Sequence, residues 1–241
     1  MHRFFVTDIH DDWVVFSAEQ AQQISAVLRM APGQRVIVLD NAGSEYEAEL
    51  AAVEKKRVTA VILSKRPAPN EPACQLTLYQ SLLKRDNFEW ILQKGTELGV
   101  ARFVPLITDR TVARVPKKAD RWQRILIEAA EQSQRGRIPE LAEPIRLPQA
   151  LTELPANQTA LIPWEGPWDE VNKTSIRDAG LGDETAVALF IGPEGGFTTT
   201  EIEQARQAGV LPVTMGRRIL RAETAAIAAA VLVLDELGEM A

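Results

Sequence analysis

The sequence predicts an α/β protein with a small strand-rich domain over residues 1–70 and a larger domain over 71–241 built on a largely parallel sheet. Three observations predict it. From Leu76 onward, short runs of β-formers alternate with helical stretches, the pattern of β-α units whose strands lie side by side and parallel. Before residue 66, β-formers dominate around one short helix. Between the two, Arg66-Pro67-Ala68-Pro69-Asn70-Glu71-Pro72 suppresses both helix and ladder pairing and favours an extended linker.

In the N-terminal domain Arg35–Asp40, Tyr46–Val53 and Arg57–Leu63 read as strands, with Asp40-Asn41-Ala42-Gly43 as a turn. Together they suggest a small β-barrel. Ser17 with Gln20 three residues on is a capping box, so the helix starts there and runs through Ile24, Val27 and Leu28 toward Pro32-Gly33. In the C-terminal domain Leu76–Leu82, Arg102–Ile107, Thr159–Pro163, Ala186–Ile191 and Leu211–Thr214 read as strands. Asp86–Leu98, Asp120–Arg135, Thr199–Ala208 and Glu223–Leu237 read as helices.

Composition narrows the function classes. No apolar run reaches the roughly 18 residues of a membrane span, and Met1-His2-Arg3-Phe4-Phe5-Val6 lacks a signal peptide's apolar stretch, so a cytoplasmic location without membrane contact is expected. With one cysteine and two histidines, no metal site is expected, and Cys74 reads as a small hydrophobe. The net charge of −6 conceals an asymmetry: residues 84–146 hold 13 Lys/Arg against 9 Asp/Glu, whereas 147–241 hold 6 against 14. A local basic surface suffices to meet RNA phosphates, so an acidic chain average does not exclude RNA.

The most informative stretch is the apolar run Ala186–Ile191 entering Gly192-Pro193-Glu194-Gly195-Gly196-Phe197. Thr198 and Glu201 form a second capping box directly after it, giving strand, glycine loop and helix in succession. Such a loop lets backbone approach a ligand closely, or simply makes a tight connection. It lacks the Gly-Lys-Ser/Thr of a phosphate loop and the Gly-x-Gly-x-x-Gly of a dinucleotide site. Glu194 would repel a polyphosphate but suits S-adenosylmethionine (SAM), which has no phosphate and carries a sulfonium cation. A second loop, Thr214-Met215-Gly216-Arg217-Arg218-Ile219-Leu220-Arg221-Ala222-Glu223-Thr224-Ala225, and a third, Leu161-Ile162-Pro163-Trp164-Glu165-Gly166-Pro167, follow other strands. Parallel strands end on one side, so the three can wall one crevice.

These loops resemble the signature of the 16S ribosomal RNA uracil-N3 methyltransferases, the RsmE-type branch of the SPOUT superfamily. His2-Arg3-Phe4-Phe5-Val6, Val27-Leu28-Arg29-Met30, Gln93-Lys94-Gly95-Thr96-Glu97-Leu98-Gly99-Val100, and Glu128-Ala129-Ala130-Glu131-Gln132-Ser133-Gln134-Arg135 with Ile138-Pro139-Glu140 are similar to further motifs of that family. The resemblance implies a PUA-like N-terminal barrel, a C-terminal α/β domain tied in a deep trefoil knot, a homodimer, SAM as cofactor, and 16S ribosomal RNA within the small subunit as substrate. Four departures stand out: Gln22-Gln23 where histidine is frequent, Gly95 for alanine, Met215 for leucine and Ala222 for threonine.

The cofactor-binding set implied is Leu161, Ile162, Pro163, Ile191, Gly192, Pro193, Glu194, Gly196, Met215, Gly216, Ile219, Leu220, Arg221, Thr224 and Ala225. Arg221 and Glu223 are the catalytic candidates. A guanidinium aimed at a uracil carbonyl stabilises the charge that develops as the N3 proton leaves, and a carboxylate can take that proton or orient the arginine. A simple salt bridge at the start of the last helix is the alternative role for this pair. For RNA the candidates are Arg3, Arg29, Lys84, Arg85, Lys94, Arg110, Arg121, Arg124 and Arg135, joined by Arg114, Lys117 and Lys118. Arg121, Arg124, Glu128, Gln132 and Arg135 share one stripe of their helix, which is either a phosphate track or a solvated face. The last helix, Ala225 to Leu234, is apolar on every side and must be buried all round, in a core or a dimer interface. The sequence leaves two other functions open: a SPOUT methyltransferase acting on a different RNA, or a non-catalytic RNA-binding or assembly protein with a degenerate loop.

Overall fold

A computed structural model describes residues 1–84, 86–113, 120–155, 158–166, 174–182 and 184–240. The chain forms two compact units, Met1–Glu71 with Ile127–Ile138, and Pro72–Leu126 with Pro139–Ala241.

The first unit contains β1 (Arg3–Phe5), β2 (Asp8–Ile9), β3 (Trp13–Val15), α1 (Ala18–Gln22), β4 (Arg35–Leu39), β5 (Ser44–Val53) and β6 (Val58–Pro67). They make one six-stranded sheet in the order β1-β4-β5-β6-β3-β2, antiparallel except for β1 beside β4. Phe4, Val14, Phe16, Ile24, Val36, Val38 and Leu50 fill its core. Both hydrogen bonds of the Ser17–Gln20 capping box are present. The helix is shorter than its apolar spacing predicts, because it widens to a π turn over Gln23–Val27 and then stops, with Arg29 left-handed at φ 52°. The proline-rich segment also differs. Arg66 and Pro67 still belong to β6, paired with Glu45 and Ser44 at the very end of the ladder, where proline is tolerated.

The second unit contains β7 (Gln75–Ser81), α2 (Asn87–Leu98), β8 (Arg102–Ile107), α3 (Asp120–Gln132, whose last residues cluster with the first unit), β9 (Glu140–Leu141), β10 (Ile145–Arg146), α4 (Leu147–Thr152), β11 (Thr159–Pro163), β12 (Ala186–Ile191), α5 (Thr199–Gln207), β13 (Leu211–Val213) and α6 (Ala222–Glu236). The sheet is parallel throughout, ordered β10-β8-β7-β12-β11-β13 with β9 also on β8. The predicted α/β layer is therefore present, and β7, β11, β12 and β13 all end on one side. Among the described residues no helix is long and apolar enough to cross a membrane.

One sequence departure, Gly95, finds a physical account. An ideal Cβ on Gly95 would lie 2.8 Å from the Phe103 ring, so glycine on α2 is what lets a phenylalanine fill β8's inner face. Overpacking of this kind costs about 1–3 kcal/mol, against which alanine recovers up to about 1 kcal/mol of helix propensity. Gly95→Ala is expected to lower the denaturation midpoint, and Phe103→Leu in the same chain to restore it; a midpoint unmoved by Gly95→Ala would remove this account. Within a single chain the core alone does not bury α6 all round. Ala222, Ala226, Ala229, Ala230, Val233 and Leu234 are buried, but Ile227, Ala228, Val231 and Leu232 remain partly open. The helix packs against α2, β12, β7 and the short turn Arg177–Ala179.

Cys74 is buried, and burial together with the nearby Glu239 charge pushes its thiol up to about 11, consistent with a packing role.

Candidate active site

Because the strands are parallel, the loops after β11, β12 and β13 meet at one end of the sheet, around a cleft of about 340 Å³. From the first come Pro163, Trp164 and Glu165; from the second Ile191, Gly192, Pro193, Glu194, Gly196 and Phe197; from the third Met215, Gly216, Arg218, Ile219, Leu220, Arg221, Ala222, Glu223 and Ala225. Asn87, opening α2, completes the wall. Its size suits a small-molecule ligand.

The glycine loop is held from several directions. Glu194 Oε1 accepts the backbone N–H of Lys84 at 2.9 Å, and Arg110 Nη1 donates to the Gly195 carbonyl at 2.7 Å. Glu201, 4% exposed, closes the capping box on Thr198 and also accepts the backbone N–H of Asp109 at 2.8 Å. A buried carboxylate with several N–H partners is a rigid anchor, so the loop is preorganised rather than free. Gly196 has φ +66°, and an ideal Cβ there would approach Glu165 Oε1 to 3.0 Å. Gly216 has φ +98°, donates its N–H to Thr214 Oγ1 at 3.1 Å, and has open space where a side chain would project. At both positions the backbone itself forms the surface a ligand would meet.

Arg221 is the N-cap residue of α6 and exposed; Glu223 lies in its first turn. Among the described residues no ion pair joins them, which speaks against a plain salt-bridge role. Of the cofactor candidates, Leu161 and Ile162 are fully buried in β11 and Thr224 is exposed, and none of the three lines the cleft. The sequence reasoning missed Asn87; Trp164, Glu165, Phe197, Arg218 and Ala222 lie in the three loops expected to wall the crevice but outside the cofactor-binding set. For Trp164 and Glu165 the signal was available, since they follow β11 directly.

The cations predicted to meet RNA separate into groups. In the second unit, Lys84 and Arg124 are exposed, Arg121 is exposed but paired with Glu89 at 2.6 Å, Lys94 is paired with Glu97, and Arg110 is tied to Gly195. In the first unit, Arg29 is exposed while Arg3 binds Glu45 at 2.6 Å. Arg135 is 3% exposed and bound to Glu71 at 2.8 Å, so it breaks the proposed stripe and holds its own unit together. Arg85, Arg114, Lys117 and Lys118 lie outside the described residues.

Residues 69–234 match the RNA methyltransferase domain family, and 24–63 the RNA methyltransferase PUA domain. The chain belongs to the RNA methyltransferase family. Within it, the chain is 36% identical to the ribosomal RNA small subunit methyltransferase E of Synechocystis over 88% of this chain and 69% of that one. Two solved structures are similar over 98% of this chain and 97% of theirs, each at 33% identity. One is a methyltransferase of Legionella pneumophila in complex with SAM (TM-score 0.89). The other is a ribosomal RNA small subunit methyltransferase E of Neisseria gonorrhoeae bound to the same cofactor (TM-score 0.86). In this methyltransferase the PUA match falls within the first unit, and the domain match covers nearly all of the second.

Proposed function

We propose that this RNA methyltransferase acts in the cytoplasm, transferring the methyl group of SAM to N3 of a uracil in the 16S ribosomal RNA of the small subunit. The observation that carries the reading is the cleft itself: three loops with two positive-φ glycines, apolar walls, and among the described residues no phosphate-gripping lysine in its lining. The residues present fit SAM. Pro163, Ile191, Ile219 and Leu220 offer apolar surface to an adenine, backbone at Gly196 and Gly216 permits close approach, and the carboxylates of Glu165 and Glu223 suit a cation. When bound, SAM supplies an electrophilic methyl for in-line transfer, a reaction that gains chiefly from positioning.

The protein's own groups do the rest. Arg221, unpaired with Glu223, stabilises the charge gathering on a uracil carbonyl as the N3 proton leaves, and Glu223 accepts that proton or aims Arg221. Glu194 is already committed to Lys84 N–H, so its role is to set the loop. Lys84, Arg29, Arg121 and Arg124 supply positive charge to phosphates.

The half-open apolar face of α6, with Ile227, Ala228, Val231 and Leu232, supports a homodimer formed through that helix. Val231→Arg is expected to turn the species seen by light scattering from dimer to monomer. A wild type that scatters as a monomer at all concentrations, or a variant that stays dimeric, would remove this interface.

The deciding experiment is incubation with methyl-labelled SAM and small subunits lacking native modification, followed by nucleoside mass spectrometry. Label in 3-methyluridine is expected. Label in another nucleoside would keep the cofactor and replace the substrate.

A further inference from the structure

Three motifs that resemble the family, His2–Val6, Val27–Met30 and Glu128–Arg135, contribute nothing to the cleft of the second unit. All three reach a groove of about 610 Å³ in the first unit, where Arg3, Leu28, Arg66, Glu131 and Gln132 are among its walls. We propose that this groove takes one unpaired RNA nucleobase that carries a ring N–H beside a carbonyl oxygen, as guanine and uracil do, with Glu131 accepting from the N–H and Arg3 donating to the carbonyl. The proposal rests on the reading that the substrate is RNA.

The groups are fixed before any ligand arrives. Arg3 donates from Nη2 to Glu45 Oε2, and Glu45, 1% exposed, is held from its other oxygen by Arg66. The Arg3 Nε is buried out of a ligand's reach, so the donor it offers to the groove is an Nη N–H, on a guanidinium that Glu45 positions. Glu131 Oε1 accepts the backbone N–H of Phe5 at 3.1 Å, on the open edge of β1. Burial pushes the Glu131 carboxyl up to about 7, the Glu128 charge adds to this, and the Phe5 N–H works against it. A second N–H, delivered by a base, would favour the carboxylate in the same way.

The charge balance argues for a base rather than a phosphate. Arg3, Arg66 and the Met1 amino group are balanced by Glu45, Glu128 and Glu131, so a phosphate entering here would meet carboxylates and no excess of positive charge to hold it. Adenine and cytosine present an acceptor nitrogen at the ring position where guanine and uracil carry N–H, and a carboxylate repels it. Leu28 and Ile37 add apolar surface for a ring to lie on.

The test measures dissociation constants at pH 8 for RNA octamers of adenine whose central residue is adenine, cytosine, guanine or uracil. Octamers with a central guanine or uracil are expected to bind about tenfold tighter than the other two, the value of one well-made edge contact. Whichever of the two binds tighter names the base. The preference should disappear in Glu131→Gln, which still accepts from Phe5 N–H, and also in the wild type when the central base is N1-methylguanine or N3-methyluracil. Equal affinities for all four octamers, or a preference that survives both changes, overturns the proposal. Calorimetry of SAM with the same variant, expected unchanged, separates failure of this groove from failure of the cofactor reading. If no octamer binds while SAM does, the groove and the RNA reading fall together and the cofactor reading stands.

Discussion

Arg221→Ala is expected to bind SAM with wild-type affinity and to lose methyl transfer by about 10²–10³-fold, the usual consequence of removing one donor that stabilises developing charge. The expectation follows from where Arg221 sits. It is the N-cap of α6, with extended backbone dihedrals and no side-chain capping bond, so α6 does not depend on its side chain. It lines the cleft and is not neutralised by Glu223. A guanidinium free to turn toward a substrate matters in the transition state and little for the cofactor alone. The loss should therefore appear in kcat, measured by single-turnover transfer to small subunits, while calorimetry gives an unchanged SAM affinity. Unchanged turnover would refute the role, and lost SAM affinity would make Arg221 a cofactor ligand instead. Glu223→Gln then divides the two roles left to the carboxylate. If it accepts the proton, the loss should ease as pH rises; if it only aims Arg221, the loss should be independent of pH.

What could be read in the sequence was local. The strand runs at 75–81, 102–107, 159–163 and 186–191, both capping boxes and the glycine loops depend on neighbours within a few residues, and the structure has them within a residue or two of the predicted bounds. The strands of two or three residues, such as β2 and β9, have too few positions to establish alternation. The partners of charged side chains were also out of reach. Arg135 meets Glu71 from 64 positions away and Arg110 meets Gly195 from 85, so two cations that look free in sequence serve the protein's own architecture. Glu131 illustrates the converse: in sequence it is one more polar residue on a helix, and only burial against β1 gives its carboxyl an altered chemistry. A knot, which the family resemblance implies, is a property of threading and leaves no trace in any local pattern.

Replacing Gly196 is expected to weaken SAM binding in two separable ways. Its φ of +66° is open to glycine and costs a β-branched residue roughly 1–3 kcal/mol, so Gly196→Val keeps the loop's shape only against strain. Its Cβ would also press on Glu165 Oε1 at 3.0 Å, displacing a carboxylate that lines the same cleft. A loop that relaxes away from this shape loses the backbone surface on which a cofactor would rest, and SAM affinity should fall about 10–100-fold, since each 1.4 kcal/mol is a factor of ten. Gly209 supplies the control. It too has positive φ, +84°, but nothing lies within 4 Å of its would-be Cβ and it does not line the cleft. Gly209→Val carries a comparable backbone strain and should lower thermal stability while leaving SAM affinity intact. If both variants bind SAM as the wild type does, the loop is only a tight connection between β12 and α5. If both lose binding, the loss belongs to the fold and not to the glycine at the cleft.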